Sequence, residues 1–324
     1  MNKLLLASTA LVASTTFAMA DVDLSGFAEM GVFGQNWSVD ELDQDLQFHT
    51  DIDVTFSMSG ETDAGLTFGA SVDLDEEIGD NNADDGGAES AATRNDADDG
   101  GATMFVSGSL GTLTMGDTDG ALDFALTEAI IGASLRDDNE HAGYNGNAGL
   151  DGFYDGQVAR YDYSFGDFSV AASAEIDDGG DDPVLGVGAK YTGEFAGIAF
   201  GAGLGYQTVD FEDGDSSVIG VSLDMNMDNG LQAIVNYSQL DVDVAGVSTE
   251  DEHYGLAIGY EFGSLLVAAN YGKFEFDDGS EIDGYSLIAN YDLGGGASLQ
   301  AGYGDSDIDG VDAETYSFGI AMSF

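Results

Sequence analysis

The sequence predicts an all-β protein, a 16-stranded antiparallel β-barrel that spans a membrane. Three observations lead to this prediction. Segments of roughly ten residues alternate between apolar and polar side chains along almost the whole chain. The connections between them are tight turns in one set and longer acidic stretches in the other. After residue 20 there is no run of about 18 apolar residues, which a transmembrane helix would need.

The first 20 residues predict a secretory signal peptide. They carry Lys3, then an apolar stretch, then an Ala-Met-Ala site at 18–20. The alternative, an uncleaved membrane anchor, is less favoured because threonine and serine interrupt the apolar stretch. We therefore expect cleavage after Ala20 and a barrel domain over 21–324.

The composition limits the possible partners. The chain has 62 Asp and Glu residues against 6 Lys and Arg residues, for a formal net charge of −56. Such a chain repels polyphosphates, which excludes nucleic acid as a partner, and it favours cations near its surface. There is no cysteine. An exported chain of this kind must be held together by packing and backbone pairing rather than by disulfides.

Each predicted strand has one apolar face. Over 217–228, for example, Ile219, Val221 and Leu223 alternate with glycine, serine and aspartate. An Asn-Gly pair at 229–230 then predicts a hairpin turn into the next strand. The predicted strands cover 22–34, 46–59, 65–76, 102–109, 112–116, 157–165, 168–176, 183–194, 198–209, 217–228, 231–243, 252–262, 264–276, 282–293, 297–305 and 313–324.

The connections between these strands fall into two sets. The tight turns lie at 60–65, 110–112, 166–167, 229–230 and 294–296. The predicted longer loops lie at 35–45, 77–101, 117–156, 177–182, 210–216, 244–251 and 306–312. Short turns at one end and long loops at the other are typical of outer-membrane barrels.

A soluble β-sandwich would show the same alternation, because its apolar faces form a shared core. Three features favour the membrane barrel. Tyrosine and phenylalanine recur near strand ends, as in an interfacial girdle, and the polar faces are rich in glycine, serine and asparagine. Sixteen strands are also too many for one sandwich but suit a barrel with an aqueous channel.

Four stretches carry a family resemblance: DLSGFAEMGVF at 23–33, TFSMSGETDAGLTFGASV at 55–72, FVSGSLGTLTMGD at 105–117 and YDLGGGASLQAGYGDSD at 291–307. With these and the long insertion after Asp117, the chain resembles the trimeric general porins of alphaproteobacteria, such as those of photosynthetic purple bacteria. The resemblance implies a homotrimer in the cell outer membrane that contacts lipid and lipopolysaccharide. It also implies a long third loop folded into the lumen, a diffusion pore for small hydrophilic solutes and ions, and no required cofactor.

The third loop is expected to narrow the pore. The stretch 117–156 is far longer than a hairpin requires, and its part 119–135 is apolar enough to pack against something. The lumen is the natural place, beside the shared glycine face at 201–205; the alternative is a flexible surface loop. The acids expected to project into the constriction are Asp117, Asp119, Asp123, Glu128, Asp137, Asp138 and Glu140.

The expected pore wall carries mostly acids. By strand parity, its inward side chains are Glu29, His49, Asp51, Asp53, Asp73, Asp75, Arg160 and Lys190. The resembled porins carry basic side chains opposite the acidic loop, whereas here the first three strands place acids and a histidine there. Because a pore lined by one sign of charge admits counterions, we predict a cation-selective pore.

Metal binding and catalysis have weak support in the sequence. Asp305, Asp307 and Asp309 match the first half of a calcium loop, but Tyr316 occupies the position that requires glutamate, so an acidic turn is the better interpretation. The resemblance leaves calcium near the 117–156 loop possible. No nucleophile motif occurs, and His49 with Asp51 is the only Asp/His pair worth considering, so we expect no enzymatic activity.

Two other functions remain open. One is a substrate-selective channel of the same architecture, for which Phe27 and Phe33 are the main inward aromatic side chains. The other is a secreted acidic β-rich surface protein. The ending YSFGIAMSF keeps its alternation to the last residue, as a strand that closes a barrel must. The resemblance implies that Phe324, with Tyr316, serves as an assembly signal.

Overall fold

A computed structural model of the protein describes residues 21–39, 44–77, 101–135, 141–154, 156–176, 180 and 182–324. The strands in this part are β1 (Asp21–Trp37), β2 (Gln44–Glu61), β3 (Thr67–Glu77), β4 (Ala102–Gly108), β5 (Gly111–Asp117), β6 (Gln157–Phe165), β7 (Phe168–Glu175), β8 (Val184–Phe195), β9 (Ile198–Phe211), β10 (Gly214–Met227), β11 (Leu231–Val244), β12 (Val247–Phe262), β13 (Leu265–Glu275), β14 (Glu281–Gly294), β15 (Ala297–Ile308) and β16 (Val311–Ser323). One short helix, α1 (Ala121–Ala125), lies between β5 and β6.

The strands form one closed antiparallel barrel. Each strand pairs with its neighbours along the chain, and β1 also pairs with β16. The predicted fold class, an all-β barrel of 16 strands, is therefore confirmed. Among the described residues, no helix has the length and apolar content needed to cross a membrane.

Three of the predicted long loops are instead tight hairpins. The predicted loop 244–251 is wrong because β11 runs to Val244 and β12 starts at Val247. Ala245 and Gly246 have φ of 54° and 80°, which gives the left-handed turn that suits two twisted strands. The predicted loop 306–312 closes in the same way, with φ of 51° at Asp309 and 84° at Gly310. The predicted loop 210–216 is also wrong, because only two residues separate Phe211 of β9 from Gly214 of β10. The alternation continues there, but with aspartate, serine and threonine on the face that apolar side chains occupy elsewhere.

The sheet has two different faces. In β12, Tyr254, Leu256 and Ile258 are exposed, whereas Gly255 and Ala257 between them are buried. We call the first side the exposed face and the second the opposite face, and the same phase continues around the barrel. An apolar surface of this extent is far larger than the patches that water-soluble monomers expose, and it suits a barrel wall in lipid.

The opposite face is less polar than the sequence predicts. In addition to glycine, serine and asparagine, it carries apolar side chains that pack on the stretch between β5 and β6. One cluster joins Leu122, Leu126, Leu150, Val184, Val209, Val218 and Leu240. A second joins Ile131, Ala257, Ala268 and Ile288. Period-2 alternation does not reveal these contacts. Ala257 and Ile288 have apolar neighbours on both sides, so no single face stands out, whereas Val209 and Leu240 lie between polar neighbours, so the apolar phase changes face.

The barrel closes along the pairing of β1 with β16. Their register runs from Phe27 opposite Ser323 to Trp37 opposite Ala313. The pairing extends to the last residue, because the Phe324 N–H donates to the Gly26 carbonyl at 2.8 Å. The Gly26 N–H donates back to the Phe324 carbonyl at 3.3 Å. The C-terminus is thus held as part of the sheet.

We predict that deletion of Phe324 impairs insertion more than conduction. The deletion removes the final backbone pair of the closing strands and an exposed terminal ring. We expect less heat-modifiable, folded protein in outer-membrane fractions, with an unchanged single-channel conductance for the molecules that do insert. Phe262→Ala, which removes another exposed ring at a strand end, is the control. Normal insertion of the truncated chain would contradict the role of Phe324.

Candidate functional site

The stretch 117–156 is called here the third-loop segment, and its described residues lie closely against the opposite face of the sheet. Its helix α1 approaches strands that carry glycine. A Cβ atom added to Gly188 would lie 2.0 Å from the Ala121 carbonyl oxygen, and one added to Gly203 would lie 2.0 Å from that of Ala125. Any larger residue at these two positions would force α1 away from the wall.

A row of polar side chains, called here the latch, bonds the main chain of the third-loop segment. Its members come from β7, β10, β13, β14 and β15, and they are Ser173, Ser222, Asn270, Asn290 and Ser306. Asn290 makes two of these bonds. It accepts from the Ala133 N–H at 3.0 Å and donates to the Ala133 carbonyl at 2.6 Å. Because the latch pairs main-chain groups that no helix or strand hydrogen bond satisfies, it removes a large desolvation cost.

A buried carboxylate, Asp151, joins the two ends of the third-loop segment. Asp151 accepts from the Gly120 N–H at 2.7 Å and from Gln207 Nε2 at 2.6 Å. Gln207 in turn accepts from the Leu150 N–H at 2.7 Å. Burial raises the pKa of Asp151 to about 7, although the bonds from Gly120 and Gln207 act in the other direction. Both ends of the segment are thus tied to one point of the β9 wall.

Glu175, at the end of β7, holds the last residues of the segment. It is almost fully buried, and its Oε1 accepts from the Tyr154 N–H at 3.1 Å and the Gly156 N–H at 2.8 Å. Neither Asp151 nor Glu175 was among the site residues predicted from sequence.

Asp123 and Glu128 of the third-loop segment retain protons more readily than free carboxylates. Burial, together with the charges of Asp119 and Glu128, raises the pKa of Asp123 to about 8. Burial also raises the pKa of Glu128, against the effect of Tyr144, whose hydroxyl donates to Glu128 Oε2 at 2.5 Å. The negative charge of this segment therefore changes around neutral pH.

The basic wall residues Arg160 and Lys190 contact the third-loop segment. Arg160 donates to the Asp119 carbonyl at 2.7 Å, with Asp119 Oδ2 and Asp162 Oδ1 at 3.6 and 3.7 Å. Lys190 Nζ donates to the Phe124 carbonyl at 2.9 Å. Among the described residues, the remaining basic side chain of the Lys/Arg type is Lys273, which lies between Glu275 and Glu281 on the exposed face.

The predicted wall acids lie together on β1 to β3. Glu29 is buried, and its Oε2 is 3.7 Å from His49 Nε2. In the orientation that satisfies both amide atoms, Gln300 donates to Glu29 Oε1 at 3.2 Å and to the Ser134 carbonyl at 3.1 Å. The tip of the third-loop segment thus covers Glu29, which the sequence predicted to face an open pore.

The other predicted residues have these positions. Asp51 and Asp53 are half-buried on the face that carries His49, and Asp73 accepts from Thr55 Oγ1 at 3.0 Å. Asp75 is in β3 opposite Asp53, but its side chain lies outside what the structure describes. Asp117 ends β5 and packs against Gly101, while Tyr316 packs over Gly34 on β1. Asp137, Asp138 and Glu140 lie outside the described residues.

Sequence reasoning missed the latch and Phe124. The only signal for the latch was the recurrence of serine and asparagine at alternate positions of consecutive strands. Calcium near the segment stays a prediction. In the described part of the chain, no three His, Asp or Glu side chains converge as metal ligands would, so no role is assigned to a metal here.

We predict that Asn290→Ala loosens the third-loop segment. The change removes two hydrogen bonds, each worth about 0.5–1.5 kcal/mol, and leaves the main chain of Ala133 without its partners. Hydrogen exchange should accelerate for the amides around Ile131 and Ala133. Asn229→Ala, in the turn before β11, is the control because Asn229 bonds only within its own turn. Equal exchange in both variants would show that the latch does not hold the segment.

Comparisons with known proteins give one consistent result. A family model described as Gram-negative porin matches residues 7–311. A porin of Rhodobacter capsulatus is 30% identical over 322 residues, which cover 90% of this chain and 96% of that protein. A solved porin structure matches with a TM-score of 0.71 at 27% identity, covering 94% of this chain and all of the other. The anion-selective porin from Comamonas acidovorans matches in fold, with a TM-score of 0.66 at 15% identity over 94% of this chain and 100% of that chain.

Proposed function

The chain belongs to the Gram-negative porin family and is an outer-membrane diffusion pore, and we propose that this pore conducts cations in preference to anions. The resemblance to porins found in the sequence is confirmed by the same matches. Family membership also makes the chain a channel rather than an enzyme. It excludes the alternative of a secreted acidic surface protein, since porins are outer-membrane proteins.

The proposed pore lies inside the barrel and is narrowed by the third-loop segment. The support is that this one segment contacts the opposite face of every strand from β7 to β15, for example through Ser173, Gly203 and Ser306. One segment can contact the same face of so many consecutive strands of a closed barrel only if that face points into the lumen. The space left open then lies between the segment and the part of the wall that includes β2 and β3.

Charge placement carries the proposal of cation selectivity. The wall that would face the open space carries Asp51, Asp53 and Asp73, and the segment adds Asp119. The two described basic side chains on this face, Arg160 and Lys190, are both bonded to carbonyl groups of the segment. Negative charge near a narrow, poorly solvated passage concentrates cations and repels anions.

The porin fold itself does not decide the sign of selectivity. The structural relative from Comamonas acidovorans is described as anion-selective and shares only the fold with this chain. The sign of the selectivity must therefore come from the side chains that line the pore, and the described ones on the proposed wall are mostly acidic. A substrate-selective channel has less support, because Phe33, one of the two inward aromatics considered for it, is half-buried with its ring edge-on to His49.

The proposed assembly is a homotrimer in contact with lipid and lipopolysaccharide. Support comes from β4 (Ala102–Gly108) and β5 (Gly111–Asp117), which have seven residues each. A transmembrane strand needs about 9–11 residues to cross lipid, so this part of the wall fits beside a neighbouring subunit rather than lipid alone. The signal peptide over 1–20 lies outside the described residues and stays a prediction.

The proposal predicts a cation-selective reversal potential. With purified protein in a planar bilayer and a tenfold KCl gradient, we expect a reversal potential whose sign shows that potassium permeates better than chloride. Its magnitude should lie below the value for an ideally cation-selective pore, about 59 mV. Asp51→Asn combined with Asp53→Asn should reduce it, because two fixed negative charges leave the proposed wall. A zero potential or the sign for chloride would contradict cation selectivity while leaving the pore itself intact.

We also predict that cation preference rises with pH. Asp123, with a pKa of about 8, and Asp151, with a pKa of about 7, are neutral below these values and negative above them. The reversal potential should therefore be larger at pH 9 than at pH 6, and Asp123→Asn should reduce that difference. Asp278→Asn is the control, since bonds from Ser280 keep the pKa of the exposed Asp278 carboxyl below its usual range. A pH-independent potential would contradict this assignment.

A further inference from the structure

The ring of Phe124 lies close to both of the Lys and Arg side chains described on the opposite face. Lys190 Nζ is 3.8 Å and Arg160 Cζ is 4.9 Å from the ring centroid. An aromatic face attracts a cation within about 6 Å through its quadrupole. We propose that Phe124 is a positioning residue that fixes the charges of Arg160 and Lys190 against the third-loop segment and thereby sets the degree of cation selectivity. This inference rests on the proposed function.

Each cation has a second contact with the same segment. Lys190 Nζ donates to the main-chain carbonyl of Phe124, and Arg160 donates to that of Asp119. Lys190 Nζ therefore has two contacts with Phe124, one with its ring and one with its carbonyl. Lysine carries a compact charge on a flexible stem, so one hydrogen bond alone leaves it many orientations. Without the ring, the Lys190 side chain adopts orientations that bring its ammonium group into the open space of the proposed pore.

The ring can fix these charges because it is itself held firmly. Phe124 belongs to α1, whose residues Ala121, Leu122 and Ala125 are buried against the wall. The close approach at Gly188 and Gly203 leaves α1 no room to slide along the sheet. Phe124 is half-buried, so its ring lies at the border between this packed contact and the rest of the opposite face.

The positions of the cations decide how much they oppose the wall acids. Held by Phe124, Arg160 and Lys190 lie beside Asp119 and the segment carbonyls, which offset much of their field. A released Lys190 would instead bring positive charge nearer to the passing ions. Since selectivity depends on the net field in the passage, releasing the charge lowers the preference for cations without changing the composition of the wall.

The test is the cation-over-anion permeability ratio of Phe124→Leu, measured as a reversal potential. Leucine keeps apolar volume and removes the aromatic face. We expect roughly a two- to fivefold fall in the ratio, the size of one modest cation–π contact. Phe124→Tyr retains the face and should keep the ratio of the unmodified protein. Phe276→Leu is the matched control, because the Phe276 ring stacks on Phe274 and contacts no described cation.

A mutant cycle separates positioning from a general structural effect. In the background Arg160→Met with Lys190→Met, Phe124→Leu should no longer change the permeability ratio. An unchanged ratio in the single variant, or an equal fall in the background without the cations, would overturn the inference. If Phe124→Leu fails to assemble, trifluorinated phenylalanine at position 124 replaces it in the test, because it keeps the ring shape and weakens the quadrupole. The same fall in the permeability ratio is expected.

The outcome also distinguishes this inference from the proposed function. A protein without cation preference would contradict the proposed selectivity. A shift towards anions on Phe124→Leu, absent when Arg160 and Lys190 are replaced, would still support the positioning role. Conversely, the protein could be strongly cation-selective and keep the same permeability ratio in Phe124→Leu. That result would support the proposed function and overturn the inference.

Discussion

Closure of the sheet is the constraint on which the rest of this structure depends. Inside lipid no water is available for backbone N–H and C=O groups, so an open strand edge is excluded. The pairing of β1 with β16 removes the last edge, and it continues to the backbone of Phe324. Once the sheet is closed, alternate side chains must point to two separate environments. The exposed apolar face and the mixed opposite face follow from that separation.

A closed barrel then poses the problem of how to hold a long irregular segment against its wall. Its main-chain groups need partners, and a wall of side chains must supply them. The protein uses two devices: glycine where α1 approaches closely, as at Gly203, and short polar side chains such as Ser173 and Asn290 where the main chain needs hydrogen bonds. Small size is the shared requirement. The abundance of glycine, serine and asparagine on this face therefore reflects packing of the segment as much as contact with water.

The sequence predicted the strands well because each carries the period-2 signal within itself. It failed at 244–251, where the start of β12 over 248–251 reads Ser-Thr-Glu-Asp, a polar stretch that composition alone assigns to a loop. The latch was unpredictable for another reason. Asn290 looks like any polar residue of a barrel wall, and its role exists only because Ala133, far away in sequence, passes beside it. Likewise, nothing local distinguishes Phe124 from other apolar residues of its segment.

Packing and charge are linked at the same contacts. Arg160 and Lys190 donate to main-chain carbonyls that α1 and its flanking turn would otherwise leave unpaired, so they contribute to the stability of the segment. A cation used in this way is no longer free to line the passage. In the proposed pore, the two described Lys and Arg side chains of this face are therefore both engaged in anchoring the segment. Cation preference would then follow from how the segment is held, and not only from the number of acids in the chain.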